Sequence, residues 1–262
     1  MKNRPWLRLF FLFVLFQALL VGSALIEPEW ITLVLPWPAS PLNARFTGAL
    51  YLMGAISAAL CMFARRFAAV RISLIEIGVV TGGLLLITVP HFGEFTAANF
   101  PSRWTIFYTV DPLATALLAW VFLGRDPVPP GRNPYRPLFL TYAAVLGVAG
   151  LALLLFPSVA AGLWPWSLPP ILGQVYSVFF LTFALGGLLC AREPRWLGVW
   201  VYCAANAGLL FLVLMVSLYH RGRFGPGPAT WIWFGLCITG LAGFALRLLR
   251  RPKDFDRQEA LA

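Results

Sequence analysis

The chain has 262 residues, of which 60% are hydrophobic and only 11% are charged, and its mean hydropathy is +0.80. Soluble domains are about 45–50% apolar and about 25% charged, and a soluble fold of this length could not remove so much apolar surface from water. The composition therefore excludes a soluble domain and indicates a chain that lies in a lipid bilayer. The net charge of +10 would suggest nucleic acid in a soluble protein. Here the placement of the basic residues explains the charge, and no nucleic-acid partner is expected.

Eight apolar runs along the chain are long enough to cross a bilayer, which takes about 20 residues. They are predicted at 7–26, 46–64, 72–90, 105–124, 138–156, 171–191, 197–219 and 230–249. Runs this long and uniformly apolar form helices rather than barrel strands. The sequence therefore predicts an all-α integral membrane protein with eight transmembrane helices. Lys2 and Arg4 before the first run would also fit a signal peptide, but the internal repeat described below requires that run as a helix.

The distribution of Lys and Arg between the turns predicts the orientation. With the amino terminus in the cytoplasm, 16 basic residues fall on the cytoplasmic side and 4 fall on the other side. Cytoplasmic loops carry such an excess of positive charge. Both ends of the chain are therefore expected in the cytoplasm. The four residues on the opposite side are Arg45, Arg103, Arg221 and Arg223.

The second half of the chain resembles the first when Pro157 is aligned with Pro28, an alignment here named the repeat register. The other matching pairs are Pro36-Trp37 with Pro165-Trp166, Pro41 with Pro170, and His91-Phe-Gly-Glu-Phe95 with His220-Arg-Gly-Arg-Phe224. After a deletion of two residues, Trp104 is placed opposite Trp231 and Asp111 opposite Ile238. The match predicts a first four-helix unit at 1–125, a Pro-rich cytoplasmic linker at 126–136, a second four-helix unit at 137–251 and a cytoplasmic tail at 252–262. Such parallel repeats are related by a pseudo-twofold axis along the membrane normal.

His91 and His220 are the only histidines, and they occupy equivalent positions at the outer ends of two spans. Two neutral imidazoles that face each other across the axis could ligate a metal ion or a haem iron. A histidine at a helix end also caps carbonyl groups without any ligand. A haem or metal cofactor is therefore possible but not favoured, and the structural role is preferred.

Charged residues within or at the ends of spans are the other candidates for a ligand site. Glu76 and Asp111 lie inside spans, where ionisable groups commonly mark pathways for substrates or protons. Arg45 lies near the start of the second span and could bind an anion, and Glu94 follows His91 in the outer turn. The positions equivalent to Glu76 and Asp111 are Ala205 and Ile238, so these two acids break the internal symmetry.

The segment Leu35-Pro-Trp-Pro-Ala-Ser-Pro-Leu-Asn-Ala-Arg-Phe-Thr-Gly48, together with the His-x-Gly-x-Phe turn, resembles bacterial multi-pass membrane proteins with no assigned activity. The resemblance implies a bacterial inner-membrane location and brings no activity or site residues with it. Walker-type, Gly-x-Ser-x-Gly and Cys-x-x-Cys motifs are absent from the sequence, so an enzyme is not favoured.

The preferred hypothesis is a small-solute transport or ligand-binding module with its site between the two units. Pseudo-symmetric membrane bundles commonly place their sites where the repeats meet. One alternative is a haem- or metal-binding redox protein that uses His91 and His220. The other is a non-catalytic subunit of a membrane complex, with a partner membrane protein in place of a small-molecule substrate.

Overall fold

The computed structural model of the protein describes residues 5–95 and 100–250, apart from the side chains of Glu94 and Arg125. The predicted tail therefore lies outside the described residues. Within the described ranges the chain forms α-helices and short 3-10 turns, and no β-strand occurs there. The helices are α1 Pro5–Gly22, α2 Pro41–Phe63, α3 Phe67–Thr88, α4 Ser102–Phe122, α5 Arg136–Leu155, α6 Pro157–Gly162, α7 Pro170–Arg192, α8 Trp196–Tyr219 and α9 Pro228–Leu249.

All of these except the short α6 are long and apolar enough to span a membrane, so the described chain has eight candidate spans. The prediction of an all-helical, multi-pass membrane protein is confirmed to this extent. The structure begins α2, α3 and α4 three to five residues before the predicted runs, because polar or basic residues such as Asn43, Arg71 and Arg103 near each helix start lower the local hydropathy. Pro41 opens α2 after Ser40, whose hydroxyl accepts a hydrogen bond from the Asn43 amide at 3.4 Å. Proline suits the first turn of a helix because its missing N–H has no partner there anyway.

The helices pack in a regular set of pairs. α1 packs along α2, and α5 packs along α7 in the same way; α3 packs along α4, and α8 along α9. Contacts between the first four spans and the last four run from α2 to α8, from α3 to α7 and between α3 and α8. Helices α2, α3, α7 and α8 therefore form the centre of the bundle, and α1, α4, α5 and α9 lie around it.

One end of the bundle, here named the linker end, carries a network of ion pairs. Glu193 accepts hydrogen bonds from Arg195 at 2.7 and 2.9 Å and from Arg71 at 3.3 Å. Arg195 also donates to Asp126 at 2.8 Å, and the carboxylate partners raise the pKa of Arg195 above its usual range. Asn133 donates to the carbonyls of Cys190 and Glu193 at 2.9 Å each. The predicted linker at 126–136 is thus attached to the turn between α7 and α8.

The opposite end, here named the histidine end, holds two aromatic clusters. In the first, Trp37 packs edge-on against Trp104 at 5.7 Å between ring centroids. Trp104 also donates a hydrogen bond to Thr88 at 2.7 Å.

In the second cluster, Trp166 packs edge-on against Trp233 at 5.0 Å. Trp233 donates to Ser217 at 3.0 Å. Each cluster attaches the turn that precedes α2 or α7 to the last helix of its own unit.

Candidate functional site

A cavity of about 80 Å³, whose wall is mostly apolar but includes two acidic residues, lies among α1, α2, α3 and α4 and is closed on one side by α7. We name it the acid-lined cavity. None of the residues that line it is exposed, and none is basic. Its polar lining residues are Gln17, Tyr51, Ser57, Ser73, Glu76, Thr81, Tyr108, Asp111 and Thr182. A polar cavity needs about 10–15 Å³ for each water-sized group, so this one has room for several.

Asp111 and Gln17 meet on the α1–α4 side of the cavity. The Gln17 amide donates to Asp111 Oδ1 at 3.2 Å, and both residues are buried. Close by in the lining, the hydroxyls of Tyr51 and Tyr108 form a hydrogen bond with each other. Helix α4 continues through Pro112, so Asp111 projects from an unbroken helix. One wall of the cavity therefore has a carboxyl, an amide and two phenol groups in a single polar patch.

Glu76 lies on α3, where this helix meets the second unit. Its Oε1 atom is buried and has no hydrogen-bond partner among the described residues. A Cβ atom at Gly186 of α7 would lie 2.2 Å from this oxygen and 2.5 Å from Cε2 of Tyr202. The carboxyl therefore occupies space that a larger residue at position 186 would take. A carboxylate buried without a partner is costly, so the position strongly favours a bound proton or cation.

Arg45 and His220 form a contact at the histidine end and do not line the cavity. Arg45 Nη1 donates to His220 Nε2 at 3.1 Å, and Arg45 Nε donates to the Leu25 carbonyl at 3.2 Å. Because a guanidinium has no acceptor, the bond requires an unprotonated Nε2. Burial, and then the charges of Arg45 and Arg223, lower the pKa of His220 below its usual value. A metal or haem iron at Nε2 would have to displace Arg45.

His91 has different partners from His220. Its Nδ1 atom donates to the Ile87 carbonyl at 2.9 Å, and its ring packs edge-on against Trp37 at 5.8 Å. The first contact caps the end of α3. Within residues 5–95 and 100–250, no three His, Cys, Asp or Glu side chains come together as a metal site would need. The haem or metal hypothesis for His91 and His220 stays a prediction.

The structure brings two of the sequence candidates, Glu76 and Asp111, to one cavity and places Arg45, His91 and His220 elsewhere. The Glu94 side chain lies outside the described part of the chain. Sequence reasoning missed Gln17 and the hydroxyl groups of the lining. A signal for them exists in the repeat register, where Leu146, Phe180, Leu210 and Cys237 stand opposite Gln17, Tyr51, Thr81 and Tyr108.

The chain matches no protein-family model, no curated protein and no solved structure. The function is therefore inferred from the geometry of the site.

Proposed function

We propose that this protein is a membrane carrier or binding protein for a small cationic solute, with Glu76 and Asp111 as its recognition groups. One observation carries the proposal. These two residues are the only acids within the eight spans, and both line the same cavity. Ionisable groups inside spans are costly and commonly mark substrate or proton pathways.

The chemistry of the lining supports a cation rather than an anion. Two carboxyls face the cavity, and no basic side chain does. The Gln17 carbonyl, the phenols and the hydroxyls add neutral acceptors, which suit a metal ion with some of its water or an ammonium group. The volume of about 80 Å³ restricts the solute to a few heavy atoms. Because Glu76 contacts α7 and α8 of the second unit, movement between the units would change its surroundings.

The repeat is part of the proposal, and the packing supports it. In the repeat register the start of α2 at Pro41 matches the start of α7 at Pro170, and the start of α3 at Phe67 matches that of α8 at Trp196. The helix pairs correspond in the same way, since α2 contacts α8 as α7 contacts α3. The repeat register maps α3 onto α8 and α8 onto α3, so the contact between these two helices is mapped onto itself. This is expected for two helices that meet at a pseudo-twofold axis. We infer two four-helix units related by such an axis along the membrane normal.

The aromatic clusters favour the repeat register without the deletion. Trp104 donates a hydrogen bond to Thr88, and Trp233 donates one to Ser217. Thr88 and Ser217 match each other in that register, so the two tryptophans have corresponding partners. Trp104 therefore corresponds to Trp233 rather than to Trp231. In this register Asp111 corresponds to Gly240 instead of Ile238.

We further propose that the linker end faces the cytoplasm of a bacterial inner membrane, with both chain ends on that side. The 16 basic residues on this side and 4 on the other support the orientation. A fluorescent protein fused after Ala262 should fold and fluoresce, and alkaline phosphatase fused after Gly225 should be active. The reverse pair of results would contradict the orientation without bearing on the cavity.

The cavity proposal is tested by electrical recording from reconstituted protein on a solid-supported membrane. Concentration jumps of sodium, ammonium, methylammonium or guanidinium chloride, and separately of protons, are applied to the full chain. We expect a saturable current for at least one of them. Glu76→Gln and Asp111→Asn should each lower the apparent affinity about tenfold or more, because a charge-assisted hydrogen bond contributes about 1.5–3 kcal/mol. Glu29→Gln, which removes an exposed carboxyl at the histidine end, should have no effect.

A binding protein without transport gives no current, so the same salts are also tested for stabilisation against heat. In that case one cation should raise the unfolding temperature saturably, and the rise should require Glu76 and Asp111 but not Glu29. If no cation produces a current or a stabilisation, or if all three variants behave as the wild type does, the proposed function is wrong.

A further inference from the structure

The second unit contains an apolar groove of about 460 Å³ between α5 and α9, here named the lateral groove. Its floor is formed by buried side chains of α2, α7 and α8, including Phe46, Phe183 and Leu209. Near the linker end the groove is closed, because Phe244 of α9 packs against Tyr142 of α5 at 4.9 Å between ring centroids. The groove therefore lies at the depth of the bilayer and is closed at one end.

The rim of the groove is exposed, in contrast to the lining of the acid-lined cavity. Leu163, Ile232 and Leu236 line the groove and are 74%, 60% and 44% exposed. Ile232 and Leu236 lie on α9 and Leu163 follows α6, and all three are at the outside of an apolar bundle, where hydrocarbon is the surrounding medium. The groove consequently opens sideways between α5 and α9, toward the chains of neighbouring lipids.

The lateral groove occupies the position in the second unit that the acid-lined cavity occupies in the first. Leu146, Phe180 and Gly240 line the groove at the positions that correspond to Gln17, Tyr51 and Asp111. No charged residue lines the groove. The two corresponding spaces therefore differ in charge and exposure: acidic residues line the cavity, whereas the groove has no charged residue and an exposed rim.

One buried polar group of the groove lacks a partner. Among the lining residues, Tyr142 donates to Asn206 at 2.8 Å, Trp233 to Ser217 at 3.0 Å and Thr239 to a carbonyl of its own helix at 2.7 Å. The Trp164 indole N–H is buried and has no hydrogen-bond partner among the described residues. A buried donor without a partner is costly, so an acceptor that reaches this N–H from the groove would be stabilised there.

Positive charge lies beside the same end of the groove. The Gly225 amide donates to the carbonyl of Pro165, a lining residue, at 2.9 Å. This bond attaches the turn that carries Arg221 and Arg223 to the rim of the groove. The Arg221 guanidinium lies over the Trp231 ring at 5.5 Å. From its closed end toward the histidine end, the groove therefore has an apolar floor and an N–H donor, and the turn that carries Arg221 and Arg223 is attached at its rim.

We propose that the lateral groove binds one glycerophospholipid from the leaflet at the histidine end. An acyl chain lies along the apolar floor, the ester carbonyl accepts the hydrogen bond from Trp164, and the phosphate lies near Arg221 and Arg223. This order of apolar chain, neutral acceptor and anion is the order of groups in a glycerophospholipid. A spanning helix of a partner protein has its own backbone groups paired, so it could reach the indole only with a polar side chain.

The test is native mass spectrometry of the full chain, purified in detergent, stripped of lipid and supplied with dioleoyl phosphatidylglycerol. The wild type should retain one lipid per chain at low lipid concentration. Ala149→Phe places a ring in the groove and should weaken retention about tenfold or more. Ala144→Phe adds the same ring to an exposed position of α5 outside the groove and should leave retention unchanged. Trp164→Phe removes only the N–H and should weaken retention about two- to tenfold, as expected for one neutral hydrogen bond.

Equal retention by Ala149→Phe and Ala144→Phe would mean that the lipid binds the general surface, and the proposal would be wrong. It would also be wrong if the wild type retained no lipid, or if it formed a dimer that Ala149→Phe separates. If Ala149→Phe does not fold, tail-brominated phosphatidylglycerol is titrated against the wild type and Trp164→Phe. The fluorescence of Trp164 and Trp233, which both line the groove, should be quenched at a much lower lipid concentration than the remaining tryptophan fluorescence, and simultaneous quenching of all the tryptophans would overturn the proposal.

Discussion

Replacing Asn43 with leucine tests whether the two units are held together by specific polar contacts at the histidine end. Asn43 belongs to α2 and is 1% exposed. Its side chain accepts a hydrogen bond from Trp166 at 2.8 Å and donates to the Ser167 carbonyl at 3.2 Å. Leucine is the residue at the equivalent position 172, so the replacement has a suitable size and apolar character.

The expected loss of stability follows from the loss of these two hydrogen bonds and of a longer one, at 3.3 Å, from the Tyr176 hydroxyl to the same side-chain oxygen. Measured interhelical hydrogen bonds in membrane proteins contribute about 0.6 kcal/mol on average and up to about 1.7 kcal/mol. The change also leaves a buried indole N–H without a partner, which adds to the cost. We therefore expect Asn43→Leu to lower the free energy of unfolding by about 1–3 kcal/mol.

The measurement is reversible unfolding in mixed micelles, followed by circular dichroism as the fraction of dodecyl sulphate increases. Trp166→Phe removes the donor and keeps most of the aromatic packing, so it completes a double-mutant cycle. The coupling energy between positions 43 and 166 should be about 0.6–1.7 kcal/mol. Additive effects of the two substitutions, with a coupling energy near zero, would refute the role of this contact.

Three further predictions concern other parts of the bundle. The pKa of His220 is lowered in the folded protein, so the unfolded chain takes up the proton first as the pH drops. The free energy of unfolding should therefore fall below about pH 6.5. His220→Gln should reduce this dependence on pH, and an unchanged dependence would show that other groups cause it. Gly186→Ala should lower the free energy of unfolding by about 1–3 kcal/mol in the same assay, because a Cβ atom there overlaps buried side chains. Gly235 has open space around it, so Gly235→Ala should leave the free energy of unfolding unchanged. Glu193→Gln should lower the free energy of unfolding by about 3–5 kcal/mol, because the Glu193 side chain is only 4% exposed. Asp126→Asn should lower it by only about 0–1 kcal/mol, because the Asp126 side chain is 27% exposed. Similar losses for both variants would contradict the role of burial.

The eight helices could be predicted because each is a long apolar run between turns rich in proline or arginine. Their starts were less accurate, since polar residues such as Asn43 lie inside the first turn of a buried helix. The acids Glu76 and Asp111 could be identified as candidates from their positions within spans. The two acids line one cavity because of how α3 and α4 are rotated about their own axes and packed together. The sequence of a uniformly apolar helix contains little information about this rotation.

The partners of Arg45 and His220 show a second limit. The sequence placed both residues at the same side of the membrane, but their contact joins positions 175 residues apart and depends on where α2 meets α8. Gln17 shows that the sequence does contain some information about the site. It is a polar residue in a span whose equivalent, Leu146, is apolar, and comparing the two units position by position would have identified it.

The central claim is that Glu76 and Asp111 bind a small cation together. The most direct measurement is a cryo-electron microscopy structure of the wild type with the cation that produces a current or stabilises the protein, compared with a structure of Glu76→Gln under the same conditions. We predict density within hydrogen-bonding or coordination distance of both carboxyls in the wild type, and its loss in the variant. A cavity that is empty or filled by side chains, with density only beside Arg45 and His220 or in the lateral groove, would contradict the claim.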